Sequence, residues 1–200
     1  MQIRKRRLLR LGVAMLALAG ALVVVVTWSS AAAGNGAQHV RWDIISTTGV
    51  PPAPLNPGGH ASATAPNGDT ITLTGSGHFV APASGGGSGA ADGGGTYSTS
   101  GGESGTYTVT GLVSWENAGA QANVGFVDNV GGGTRTNGTA VVTIVFSDGK
   151  QGVLTIGCHG PGAPAGIFEG VATTKGYKTY YTVPTPVAGV DAGRTLFHVR

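Results

Sequence analysis

The strongest constraint on this chain is a strand-turn-strand signal that runs from Ala140 to His159 around Ser147-Asp148-Gly149. A two-residue Asp-Gly loop would put the apolar residues of the first strand on the same face as polar residues of the second. A three-residue loop brings two apolar faces together, and burial selects it because a slip of one residue turns every side chain over. Gly149 is then expected in the left-handed region, which glycine enters without steric cost. The predicted core face contains Ile144, Phe146, Leu154, Ile156 and Cys158.

A second hairpin uses the same chemistry around Pro66-Asn67-Gly68. With a three-residue loop, Ala61 lies opposite Leu73, and alternate residues of both strands share a face. Proline supplies the fixed φ of the first turn position, and Gly68 supplies the left-handed one. The two hairpin predictions support each other because both use the same loop chemistry.

The remaining pattern predicts an all-β fold, an antiparallel β-barrel or β-sandwich of about eight strands. Side chains alternate over Gln38–Ser46, with Val40, Trp42 and Ile44 on one face, and no segment after the N-terminal stretch shows a helical period. A barrel is favoured because the last strand, Arg194 to Arg200, lacks charged edge guards. Residues 47–59 and the Gly/Ser-rich tract 81–105 are expected to be loops, the second flexible and with at most weak edge pairing.

The N-terminus has the composition of an export signal, or of an uncleaved signal anchor in helical form. Five basic residues in the first ten precede an apolar run from Leu11 to about Thr27, followed by Ala31-Ala32-Ala33. Because the run approaches the length that spans a bilayer, cleavage and anchoring both stay open. Residues 6–9 also fit a twin-arginine signal as an alternative to general export.

This division predicts an export segment at 1–33 and a single all-β domain at 34–200. The domain is expected to be secreted, or anchored to the outer face of the cytoplasmic membrane through the N-terminal segment only. Seven of the twelve Lys and Arg residues lie after position 33, against nine Asp and Glu, so the remaining domain has a net charge of −2. That balance argues against a nucleic-acid partner.

The single cysteine excludes an intrachain disulfide and a zinc site built from thiolates. Cys158 and His159 are neighbours on a strand and therefore point to opposite faces, so they are not expected to form a nucleophile-base pair. The five histidines lack metal-binding spacing, and no cofactor is predicted. Asn137-Gly138-Thr139 matches an N-glycosylation acceptor. The candidate pocket-lining residues are Tyr107, Trp115, Phe146, Cys158, Glu169 and Tyr181.

Four segments carry a resemblance: G-H-A-S-A-T-A, T-L-T-G-S-G-H-F, F-S-D-G-K-Q-G-V-L-T-I-G-C-H and F-E-G-V-A-T-T-K-G-Y. Over roughly Gly59 to Tyr181 the chain resembles a group of small exported bacterial all-β proteins of unassigned function. The resemblance implies a compact exported β domain and carries no catalytic assignment.

Two functions remain. The first is a non-catalytic binding or structural module with an extracellular partner that the sequence does not identify. The second is a β-barrel carrier, or a cyclase- or isomerase-like enzyme, that holds a small apolar ligand in its interior. The second requires an internal cavity of several hundred Å³ with a few convergent polar groups.

Overall fold

A computed structural model of the chain describes residues 36–48, 51–82, 86–182 and 193–200. The predicted export segment and its helix at 1–33 lie outside these residues. Within the described residues there are strands and turns and no helix, so no helix there could span a bilayer. The strands are β1 Gln38–Ser46, β2 Pro54–Pro57, β3 Ala61–Thr64, β4 Thr70–Leu73, β5 Ser76–Ala81, β6 Ala91–Thr99, β7 Ser104–Ala120, β8 Val127–Asp128, β9 Thr134–Phe146, β10 Gln151–Cys158, β11 Gly170–Lys175, β12 Lys178–Tyr180 and β13 Arg194–Val199.

Six of these strands close into an antiparallel barrel. β1 pairs with β5 and β13, β6 pairs with β5 and β7, and β9 pairs with β7 and β13. The fold is therefore all-β, and of the two predicted architectures the barrel is confirmed. The last strand, β13, has a hydrogen-bonded neighbour on each side, as its lack of edge guards predicted.

Two long strands change their pairing partner along one edge. One edge of β9 pairs with β7, whereas the other pairs first with β13 at Thr134–Thr136 and then with β10 from Gly138 to Val145. β6 divides one of its edges in the same way between β5 and β4. The strands β10–β12 and β3–β4 thus extend from the barrel, and Thr64 N donates to Thr182 O at 2.7 Å to bridge the two extensions.

Both predicted hairpins are confirmed with their registers. Phe146 N donates to Lys150 O at 2.9 Å across the three-residue loop, and Gly149 has a φ of 81°. In the other hairpin Ala61 lies opposite Leu73, and Gly68 has a φ of 86°. The five residues of the predicted core face are all buried.

The number of strands in the described parts of the chain, thirteen, exceeds the expected eight or so because several are short or glycine-rich. β6 lies inside the tract 81–105, where the sequence predicts a loop, and it is a full member of the barrel. β2 lies inside the predicted loop 47–59. Its prolines stand at its two ends, so Leu55 and Asn56 between them retain their N–H donors.

The sequence over Thr106 to Trp115 predicts a strand with Tyr107, Val109, Val113 and Trp115 on one face, and this alternation fails in β7. The register shifts between Val109 and Gly111 and again between Leu112 and Ser114. A bulge adds one residue to one strand and reverses the faces beyond it. Leu112 is consequently buried, whereas Val113, which the alternation predicts to be inside, is 45% exposed.

The barrel is covered on one outer side as well as filled inside. The alternation in β1 predicts that Asp43 lies on the polar face of a half-buried strand, but Asp43 is buried, and so is Ile45 on the same face. β2 pairs with β1 and, in parallel, with β8. Side chains from β1, β2, β13 and the loop around β8 form a second small apolar cluster of Ile45, Leu55, Phe126, Val130 and Leu196.

Candidate functional site

The barrel interior is occupied by large side chains. Trp42, Phe79, Phe146 and Phe197 are each at most 2% exposed, and Trp115 packs edge-on against Phe79 and Phe197 with ring centroids 5.5 and 4.7 Å apart. Such close edge-to-face contacts are typical of a packed core.

Three of the four aromatic pocket candidates, Tyr107, Trp115 and Phe146, are part of this packed core. The Tyr107 hydroxyl donates to Thr74 O at 2.8 Å, and burial raises the pKa of Tyr107. Trp115 Nε1 donates to Gln38 Oε1 at 2.8 Å. Tyr181 is 58% exposed, and its neighbour Tyr180 is buried in its place. The structure therefore does not bring Tyr181 together with the three buried aromatic candidates.

Cys158 and His159 lie on opposite sides of the strand end, as predicted. The Cys158 thiol donates to Thr195 O and accepts from Gln121 Nε2, both at 3.2 Å, and burial raises its pKa. His159 is exposed, and its Nδ1 lies 2.7 Å from Ile167 O. Because a carbonyl oxygen can only accept, Nδ1 carries the proton. The pair cannot act as a thiolate-imidazolium couple.

A cleft of about 410 Å³ opens on the outside of the barrel, where β10 ends and β13 begins. We name it the Glu169 cleft. One wall is apolar and belongs to the outer cluster, with Ile45, Leu55, Phe126 and Leu196. The other wall is polar and includes Cys158, His159, Glu169, Arg194 and Thr195. Clefts of this size accommodate small molecules.

Glu169 is held rigidly in this cleft. Its Oε1 accepts the backbone N–H of Thr195 at 2.7 Å, and its Oε2 accepts that of His159 at 2.6 Å. The side chain is 17% exposed, and Arg194 Nη1 lies 4.0 Å from Oε2. Burial raises the pKa of Glu169, although the two N–H groups and Arg194 act in the opposite direction.

Local sequence explains how Glu169 reaches this position. The Pro/Gly-rich turn at 160–166 returns the chain, and Gly157 then pairs with Gly170 at the start of β11. The residue before Gly170 must therefore lie beside the end of β10. The sequence singled out Glu169 and Cys158, but it gave no signal for Phe126 or Arg194, which come from a loop and from the beginning of a strand.

A second charged cluster surrounds Lys175, whose side chain is only 2% exposed. Its Nζ donates to Asp148 Oδ2 at 2.5 Å and to Glu103 Oε2 at 2.9 Å. The hydrogen bond from Lys175 lowers the pKa of Asp148 to about 2. Burial opposes the charge on Lys175, but its bonds to both carboxylates raise its pKa overall. The ammonium also lies 4.9 Å from the Tyr97 ring centroid. Lys150 Nζ also lies 3.2 Å from both Glu103 Oε1 and Asp148 Oδ2, so each charge in this cluster has a partner within it.

The other polar candidates do not form a reactive site. Within the described residues, no group of three or more His, Cys, Asp or Glu could hold a metal ion. His78 Nδ1 lies 3.3 Å from Asp92 Oδ1 at the surface. Asn137 of the glycosylation motif is completely buried, and its Oδ1 accepts from Gly160 N at 2.8 Å. In the folded protein its side chain is therefore not accessible to a glycosylating enzyme.

No protein-family model, curated protein or solved structure matches this chain.

Proposed function

We propose that the protein is an exported, non-catalytic binding module that holds a small molecule in the Glu169 cleft. The observation that carries this proposal is the combination of an anchored, largely buried carboxylate with an apolar wall. Ligand sites typically combine apolar surface with a few fixed polar groups that orient the ligand. Glu169 is fixed by two backbone N–H groups, and Phe126 and Leu196 belong to the apolar wall.

The neighbouring groups favour binding over catalysis. An activated nucleophile needs a base within hydrogen-bond reach. The Cys158 thiol donates instead to the Thr195 carbonyl, and its raised pKa keeps it protonated. The aromatic side chains that occupy the interior likewise favour an external site over the carrier or enzyme with an apolar interior.

Tryptophan substitutions at two alanine positions of one turn test the proposal. Ala163 is half-buried and lines the cleft, whereas Ala165 is exposed in the same turn and lies outside the cleft lining. Ala163→Trp should fill the cleft from its rim without touching the barrel core, and Ala165→Trp is the matched control.

The measurement is native mass spectrometry of the full-length chain from its host, together with a fragment screen by ligand-observed NMR. Wild type and Ala165→Trp should retain or bind small molecules, and Ala163→Trp should not. Equal binding by all three proteins, or no binding by wild type, would contradict the proposal.

A further inference from the structure

Glu169 and Arg194 form an open pair of opposite charges. Arg194 Nη1 lies 4.0 Å from Glu169 Oε2, the outer limit of an ion pair, and the Arg194 side chain is 46% exposed against 17% for Glu169. The carboxylate is therefore the deeper of the two groups, and the guanidinium lies nearer to solvent.

The same domain contains a closed pair for comparison. Arg41 donates from Nε and Nη2 to the two carboxylate oxygens of Asp43 at 2.8 and 2.9 Å. Arginine-carboxylate pairs frequently adopt this bidentate geometry. Arg194 and Glu169 do not adopt it, and among the described residues Glu169 is the one carboxylate paired with Arg194, so the guanidinium fork can accept another anion.

Glu169 also retains capacity to accept hydrogen bonds. Each carboxylate oxygen accepts one backbone N–H and has a further lone pair. Burial raises the pKa of this carboxyl group, which indicates that its negative charge is incompletely compensated. A cation in contact with it would supply the missing compensation.

We propose that the Glu169 cleft binds a free α-amino acid with an apolar side chain, with its ammonium group on Glu169 and its carboxylate on Arg194. This inference rests on the function proposed above and specifies its ligand class. In an α-amino acid one carbon separates the two charged groups, which suits protein charges that lie side by side. The side chain of the ligand contacts the apolar wall at Phe126, which is only partly buried. A ligand with one charge would contact only Glu169 or only Arg194 and would lose the second charged interaction.

Isothermal titration calorimetry on the full-length chain in mild detergent tests this ligand class with three probes. L-Leucine carries both charges, isoamylamine lacks the carboxylate, and 4-methylpentanoate lacks the amine. Leucine should bind at least about tenfold more tightly than either single-charge probe, which is the loss expected from about 1.4 kcal/mol of missing interaction.

Two variants assign the charges to their residues. Glu169→Gln should weaken leucine binding by about tenfold or more. Arg194→Gln changes an exposed side chain and should make leucine bind no better than isoamylamine. A cooperative urea unfolding transition shows that each variant is folded. If Glu169→Gln does not fold, the Arg194→Gln variant still tests the assignment.

The outcomes separate the ligand class from the function. Equal binding of leucine and isoamylamine, tighter binding of 4-methylpentanoate, or unchanged leucine affinity in Arg194→Gln would overturn the amino-acid assignment. The same holds if wild type binds none of the three probes. In each case, fragments that bind wild type but not Ala163→Trp would still support the cleft as a binding site. Loss of that difference as well would remove the proposed function.

Discussion

Gly149→Ala isolates the energetic effect of one backbone angle in the β9–β10 hairpin. Gly149 has a φ of 81°, and a Cβ built on it meets no atom within 4 Å. The substitution therefore introduces backbone strain and no steric clash. The left-handed conformation costs an alanine about 1–2 kcal/mol relative to its ordinary conformation. We expect the free energy of unfolding to fall by about 1 kcal/mol, which lowers Tm by about 2–4 °C for a domain of this size.

Three further variants separate strain from contact. Gly89 is exposed, has no positive φ and has open space around its Cβ, so Gly89→Ala should be neutral or stabilise by up to about 1 kcal/mol through the unfolded state. A Cβ on Gly138 would lie 2.5 Å from Glu116 O and 2.7 Å from the Trp115 ring. Gly138→Ala should therefore cost about 1–3 kcal/mol through overpacking. Gly149→Asn should be milder than Gly149→Ala because asparagine tolerates the left-handed region.

Urea unfolding followed by tryptophan fluorescence measures all four variants, since Trp42 and Trp115 are both buried. The expected order of stability is Gly89→Ala, then Gly149→Asn, then Gly149→Ala, with Gly138→Ala the least stable. If Gly149→Ala proves as stable as Gly89→Ala, the three-residue loop with a left-handed glycine is refuted.

Two other predictions concern the cleft wall. Cys158 is 1% exposed and has a raised pKa, so the native protein should react with a thiol reagent such as DTNB far more slowly than the urea-unfolded protein; equal rates would contradict its burial. The pKa of Glu169 is raised in the folded state. The contribution of Glu169 to stability is therefore most favourable at acid pH. It falls as pH rises from the pKa of an exposed glutamate through the raised value. Wild type should therefore lose stability relative to Glu169→Gln between pH 4.5 and pH 7.5 in urea titrations, and a constant difference between the two proteins would contradict the raised pKa.

The parts of the fold that could be predicted from sequence depend on local chemistry. The turn glycines Gly68 and Gly149, with alternating side chains on either side, determine two hairpins and their registers. Each hairpin pattern lies within about twenty residues, so it can be recognised without knowledge of distant partners. The closure into a barrel was inferred from a negative feature of the last strand, its missing edge guards.

The parts that could not be predicted depend on distant partners. β6 contains few large side chains, and its pairing with β5 and β7 becomes visible only in three dimensions. The burial of the Asp43–Ile45 face was missed because Leu55 and Phe126, which join Ile45 in the outer cluster, lie in or beside strands that are too short to be recognised from sequence. The Glu169 cleft was half anticipated: Glu169 and Cys158 lie close together in sequence, whereas Phe126 and Arg194 join them only through the tertiary structure.

The position of β13 between β1 and β9 has a consequence for the order of folding. The β9–β10 hairpin closes over three residues, and β7 and β9 are separated by one connection, so this meander can form from local contacts. By contrast, Val40 of β1 pairs with Val199 of β13, and the long segment between them makes that contact entropically expensive and slow. We therefore expect the barrel to close last at the β1–β13 seam. Until β13 has been synthesised, β1 lacks one of its two neighbours in the barrel, and a chain that stops before Arg194 cannot complete the ring.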